Sequence, residues 1–159
     1  MTGYQAQCPW QDRQFEALVV ACSDGRFNEH IDEFLRCQLA ITCYDRLYVP
    51  GGAGALATSG AEFLRAQRFR AECQFLIKAH GLRRAILIFH APTADGPTQA
   101  VCGEYLRRYP TSTAANIRLQ QERDAGQVMR AGLGPDVRLE LYRCEVNRDG
   151  VVLFAPMGT

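Results

Sequence analysis

The chain has 159 residues, with 18 Lys and Arg set against 17 Asp and Glu and 47% hydrophobic residues. That length suits a single domain, residues 1–159, able to bury a core without disulfide or metal staples. A net charge of +1 offers no bulk attraction for nucleic acid or a membrane surface.

Seven cysteines, at 8, 22, 37, 43, 73, 102 and 144, are odd in number and unpaired in spacing, which reads as reduced thiols rather than a disulfide framework. Met1 to Asp12 has no basic stretch leading into an apolar one, and no segment approaches the roughly 18 apolar residues of a membrane span. The expectation is a cytoplasmic protein with no nucleic-acid and no membrane partner.

In chain order, Ala17-Leu18-Val19-Val20-Ala21 is a short, wholly apolar run, as expected of a strand covered on both faces. From Asn28, taken as an N-cap, Ile31, Phe34, Leu35 and Leu39 recur at helical spacing. Leu47-Tyr48-Val49 reads as a second strand. Ser59 to His80 reads as a helix closed by Gly81. Ala85-Ile86-Leu87-Ile88-Phe89 is a third buried strand. Pro97 to Arg108 reads as one helix with Val101, Cys102, Tyr105 and Leu106 on its apolar side, stopped by Pro110.

Ser112 to about Leu133 reads as another helix, although Arg118 to Asp124 is polar nearly all round, suiting a solvated face or a subunit contact. Val137, Leu139 and Leu141 alternate with charged residues as in a half-exposed strand, and Asp149-Gly150 turns the chain into Val151 to Phe154. Strands alternating with helices predict an α/β fold in three layers, a mainly parallel central sheet flanked by helices.

Polar residues gather where the three core strands end: Cys22-Ser23-Asp24-Gly25-Arg26, then Pro50-Gly51-Gly52-Ala53-Gly54, then His90 to Gly96. In an open parallel sheet these ends share one edge, where ligands bind at the reversal of strand order. Cys22, Asp24, Arg26, His90 and Asp95 are therefore the candidate site residues.

Cys-x-Asp-x-Arg after the first strand, a glycine-rich loop after the second and a histidine ending the third resemble the β-class carbonic anhydrases over roughly Phe15 to Phe154. The resemblance implies a zinc-dependent lyase interconverting carbon dioxide and bicarbonate, assembled as a homodimer. It implies Cys22 and His90 as metal ligands, Asp24 as the carboxylate that orients the nucleophilic water, and Arg26 as its salt-bridge partner. The family's second cysteine ligand, three residues after the histidine, has no counterpart: position 93 is Thr, a poor ligand for zinc.

Three substitutes are open. Asp24 could coordinate directly. Asp95, followed by Gly96, could stand in for the missing Cys-Gly pair if the loop is longer; this is the favoured third ligand. Cys102 could fold back, but its place on the apolar side of a helix argues against it. The glycine loop also lacks the family's usual arginine. It reads as a tight turn, or as backbone amides around a small anion.

Singly, each residue has a plainer role: Cys22 as a buried thiol, Asp24 with Arg26 as an ion pair pinning a loop, His90 as a hydrogen-bonded structural histidine. Two further functions remain beside the zinc lyase. One is a metal-free relative that binds a small anion or regulates; the other is thiol chemistry at Cys22.

Overall fold

The computed structural model describes residues 3–58 and 63–158. Strands β1 (Ala17–Cys22), β2 (Tyr44–Val49), β3 (Arg84–Pro92), β4 (Arg138–Val146) and β5 (Val152–Met157) form one sheet in the order β2-β1-β3-β4-β5. β1 pairs in parallel with β2 and β3, and β3 with β4, while β5 returns antiparallel to β4. The return uses the expected turn: Gly150 has φ 78°, and the Asn147 side chain accepts from the N–H groups of Asp149 and Val151.

The apolar runs of β1 and β3 take central positions because both of their faces are covered, whereas Leu47-Tyr48-Val49, expected among the buried strands, lies half-buried on β2 at the edge of the sheet. Leu18, Val20, Leu87, Phe89 and Leu141 point to the side covered by α2 (Phe63–His80), α3 (Gly103–Arg108) and α4 (Ala114–Ala131), where they meet Phe69, Cys73, Ile77, Tyr105, Ile117 and Val128. Val19, Ala21, Ile86, Ile88 and Cys144 point to the side of α1 (Asn28–Cys37), against Ile31 and Leu35. Each large aliphatic side chain buried in this way contributes roughly 1.5–3 kcal/mol. The fold is α/β, a mixed sheet with helices on both faces. No helix among the described residues is long and apolar enough to cross a membrane.

Several elements depart from the sequence reading. Asn28 is the first residue of α1 rather than its cap; Phe27 holds the cap position without a side-chain bond, and the side-chain cap lies one turn earlier, at Asp24. Asp24 accepts from the N–H of Arg26 and starts a 3-10 turn over Gly25–Phe27 that runs into α1. α2 is a helix from Phe63, and its expected start at Ser59 lies outside the described residues. β3 continues through His90 to Pro92, so His90 lies within the strand instead of opening a loop.

The helix expected over Pro97 to Arg108 is split. A 3-10 turn covers Thr98–Ala100, Val101 and Cys102 are extended with ψ 137° and 118°, and α3 begins only at Gly103. Two extended residues turn the side chain of Cys102 away from the path a continuous helix would have given it. In α4, the polar run from Arg118 to Asp124 includes Gln121 and Asp124, both fully buried.

Candidate metal centre

After β1 the chain crosses to β2 on one side and later to β3 on the other, so strand order reverses between the carboxyl ends of β1 and β3. Cys22 ends β1 and His90 lies near the end of β3. Cys102 joins them from the head of α3. The two sulfurs and a ring nitrogen of His90 lie within 4.8 Å of one another, and no other group of three His, Cys, Asp or Glu side chains among the described residues is so placed. Tetrahedral donors around zinc stand about 3.5–3.8 Å apart, given Zn–S near 2.3 Å and Zn–N near 2.0 Å. Closure requires only a small inward movement.

His90 supplies the clearest test of whether a metal fits. Its Nδ1 lies 3.1 Å from the carbonyl oxygen of Ala100, which can only accept, so Nδ1 carries the proton. Nε2 is left buried and without any hydrogen-bond partner. Such an orphan is costly, and a cation between the two sulfurs would satisfy it. The ring is only 3% exposed and Phe27 packs against it with centroids 4.6 Å apart. Gln121 donates to the His90 carbonyl at 2.9 Å.

The two thiols share a proton unequally. The hydrogen bond from Cys102 draws the Cys22 thiol down to about 4; burial opposes this, and the N–H of Asp24 reinforces it. Cys102 is pushed up, by that same bond to Cys22 and by burial. Cys22 is thus the more acidic of the two thiols, and the pair shares a proton. Binding a cation between them would release that proton.

Asp24 and Arg26 form the rim. Arg26 grips the carboxylate with two bonds, Nε to Oδ1 at 2.9 Å and Nη2 to Oδ2 at 2.5 Å, and these hold Asp24 below the usual carboxylate range against an opposing effect of burial. The Arg26 side chain is more than half exposed and that of Asp24 mostly covered. Among these residues, Asp24 and Arg26 connect the buried donors to solvent.

Asp95 does not join the donor group. It is exposed and accepts from the Thr93 hydroxyl at 2.8 Å. The turn that carries it is fastened to the end of β4: Thr93 N–H bonds to the Val146 carbonyl at 2.9 Å, and a Cβ on Gly96 would stand 2.1 Å from that same oxygen. The third donor brought to the site is Cys102, twelve positions after His90. A signal for it was present, since Cys102-Gly103 is itself a Cys-Gly pair.

The glycine loop serves close packing. Gly52, at φ 54°, lies so near the strand ends that a Cβ would meet the Ile88 carbonyl at 2.6 Å and the Cys22 nitrogen at 2.8 Å. His80, expected at a helix end, lies 2.6 Å from Asp45 through Nδ1 and stacks on Phe15.

No family profile and no curated protein matches the chain. Solved structures do. A β-carbonic anhydrase from the ascomycete Sordaria macrospora, described as tetrameric, matches with a TM-score of 0.49 and 15% identity over 93% of this chain and 84% of its own. The β-carbonic anhydrase CafA of Aspergillus fumigatus gives 0.45 and 11%, over 90% of this chain and 76% of its own. The carbonic anhydrase from Glaciozyma antarctica gives 0.44 and 16%, over 87% and 80%.

Proposed function

We propose that the protein is a zinc-dependent lyase that interconverts carbon dioxide and bicarbonate, with Cys22, His90 and Cys102 holding the metal. The observation that carries this reading is the buried, partnerless Nε2 of a His90 ring that has a nitrogen within 4.8 Å of two sulfurs. Two thiolates and an imidazole suit zinc better than the oxygen-seeking cations. The chemistry such an ion supplies when bound is Lewis acidity, which brings the pKa of water down to about 7.

The remaining work falls to the chain's own groups. The Ala100 carbonyl holds the His90 proton on Nδ1 and so keeps Nε2 available as a donor. Phe27 covers the imidazole and limits water on that side. Arg26 keeps Asp24 ionised and turned by two bonds, and each carboxylate oxygen retains a lone pair able to accept a hydrogen bond from a water at the rim. Asp24 can then orient that water toward a small substrate. Three protein donors leave a fourth position for a reactant, as catalytic zinc sites require. Carbon dioxide is the substrate implied by the Cys-x-Asp-x-Arg resemblance, which also implies a homodimer, to be checked by sedimentation.

The test is zinc quantification on purified protein together with proton release on mixing with dissolved carbon dioxide. One zinc per chain with catalysed proton release is expected. Well under one zinc, or full zinc with only the uncatalysed rate, would sink the proposal.

A further inference from the structure

Helix α3 has six residues, too few to hold together without packing. Its buried residue is Tyr105, fully enclosed one turn after Cys102. The ring rests on the glycine loop so closely that a Cβ on Gly54 would stand 2.2 Å from the phenolic oxygen. That hydroxyl donates to Oδ2 of Asp124 at 2.7 Å, and burial raises its pKa well above the usual tyrosine value, so it remains a donor.

Asp124 is a fully buried carboxylate on α4. Gln120 donates to its Oδ1 at 2.8 Å, and the Arg108 guanidinium stands 3.8 Å from Oδ2 while lying over the Tyr105 ring. On the outer side of α3, Glu104 is tied to Arg65 and Arg107. A buried carboxylate is expensive unless its bonds are made, so its placement opposite the one buried residue of a short helix calls for a reason.

We propose that Asp124 and Tyr105 are positioning residues of the metal centre. The buried hydrogen bond between them sets where α3 begins, and so where Cys102 presents its sulfur to Cys22 and His90. This rests on the reading of those three side chains as metal donors. The same helix α4 holds the other imported donor, because Gln121 bonds to the His90 carbonyl and Arg118 to the Pro92 carbonyl at 2.7 Å. The polar run of α4 thus reaches both segments that must meet Cys22.

Tyr105→Phe removes only the hydroxyl and decides the matter if Asp124→Asn does not fold. The parent and both variants are titrated with zinc in competition with a chelator. They are then loaded with cobalt(II), whose thiolate-to-metal absorption reports how many sulfurs are bound and how well. Tyr105→Phe is expected to weaken zinc binding about 10-fold, the lower end for groups that orient a ligand, and to lower the absorption per cobalt. Asp124→Asn is expected to do at least as much, and the double variant no more than the worse single one, as for two residues acting through one bond.

A purely structural role would lower the melting temperature of the metal-free variants and leave affinity and spectrum at parent values, and that result would overturn the proposal. A parent protein that takes up neither zinc nor cobalt would overturn the metal reading and this one together.

Discussion

The two ends of the donor set are built in opposite ways. Cys22 is placed by five consecutive residues: the strand ends on it, Asp24 caps the turn that follows, and Arg26 closes back on Asp24. Cys102 is placed from a distance. The chain runs from His90 past a turn fastened to β4 and a 3-10 turn bonded to the imidazole, and α3 is then seated by Tyr105 against Gly54 and Asp124. A local donor is secured by its own loop. An imported donor is only as secure as the packing behind it.

Cys102→Ala should give the largest effect, loss of zinc affinity by at least about 100-fold. The figure is an order of magnitude from the weight of one thiolate among three donors, and chelator competition would measure it. Retained parent affinity would mean that Cys22 and His90 recruit their third ligand elsewhere. Next comes Gly52→Ala. A Cβ there meets backbone atoms at 2.6 and 2.8 Å at positive φ, so both strand ends must shift, at a cost of about 2–4 kcal/mol in a denaturant melt. An unchanged midpoint would show that the strand ends tolerate displacement and that the donor contrast is overdrawn.

Away from the centre, Arg84 grips Glu140 through Nε at 2.7 Å and Nη2 at 3.0 Å and holds its carboxyl below the usual range. A depressed carboxylate contributes stability that is complete above its ordinary value near 4.3 and disappears as pH falls through the folded value. Glu140→Gln should therefore lower stability at pH 7 by at most about 1 kcal/mol, given partial exposure of the pair, and flatten the acid side of a stability-against-pH curve. The smallest effect belongs to Asp95→Ala. Its carboxylate is outside the donor group, so zinc affinity should not change; a fall of 10-fold or more would restore Asp95 as a ligand.

The fold was legible in the sequence where physics is local. Continuous apolar runs marked the buried strands, and Asp149-Gly150 marked the final turn. Cys22, Asp24 and Arg26 stood out because five residues carried them at a strand end.

Cys102 was legible only as the less favoured candidate for the third position, and the reason is specific. Residues 97–108 have a helical apolar pattern, but Val101 and Cys102 are extended, and nothing in the periodicity distinguishes a continuous helix from two helical pieces joined by two residues. Asp95 drew attention by its nearness to His90 in sequence, whereas the bond of Thr93 to β4, and that of Gly96 back to the Thr93 carbonyl, decide its position. The polar run of α4 misled for a related reason: patterning registers charge and amide groups as surface, and cannot see that Tyr105, His90 and Pro92 supply their partners inside.

Hydropathy would rank the middle of α4 among the wettest parts of the chain. Isotope exchange should reverse that ranking. The backbone amides of Gln121 and Asp124 lie in a helix whose side chains fasten two other elements, so they can exchange with solvent only when those attachments open together. The exposed segment 3–14, with no helix or strand, should exchange at once despite carrying Tyr4 and Trp10.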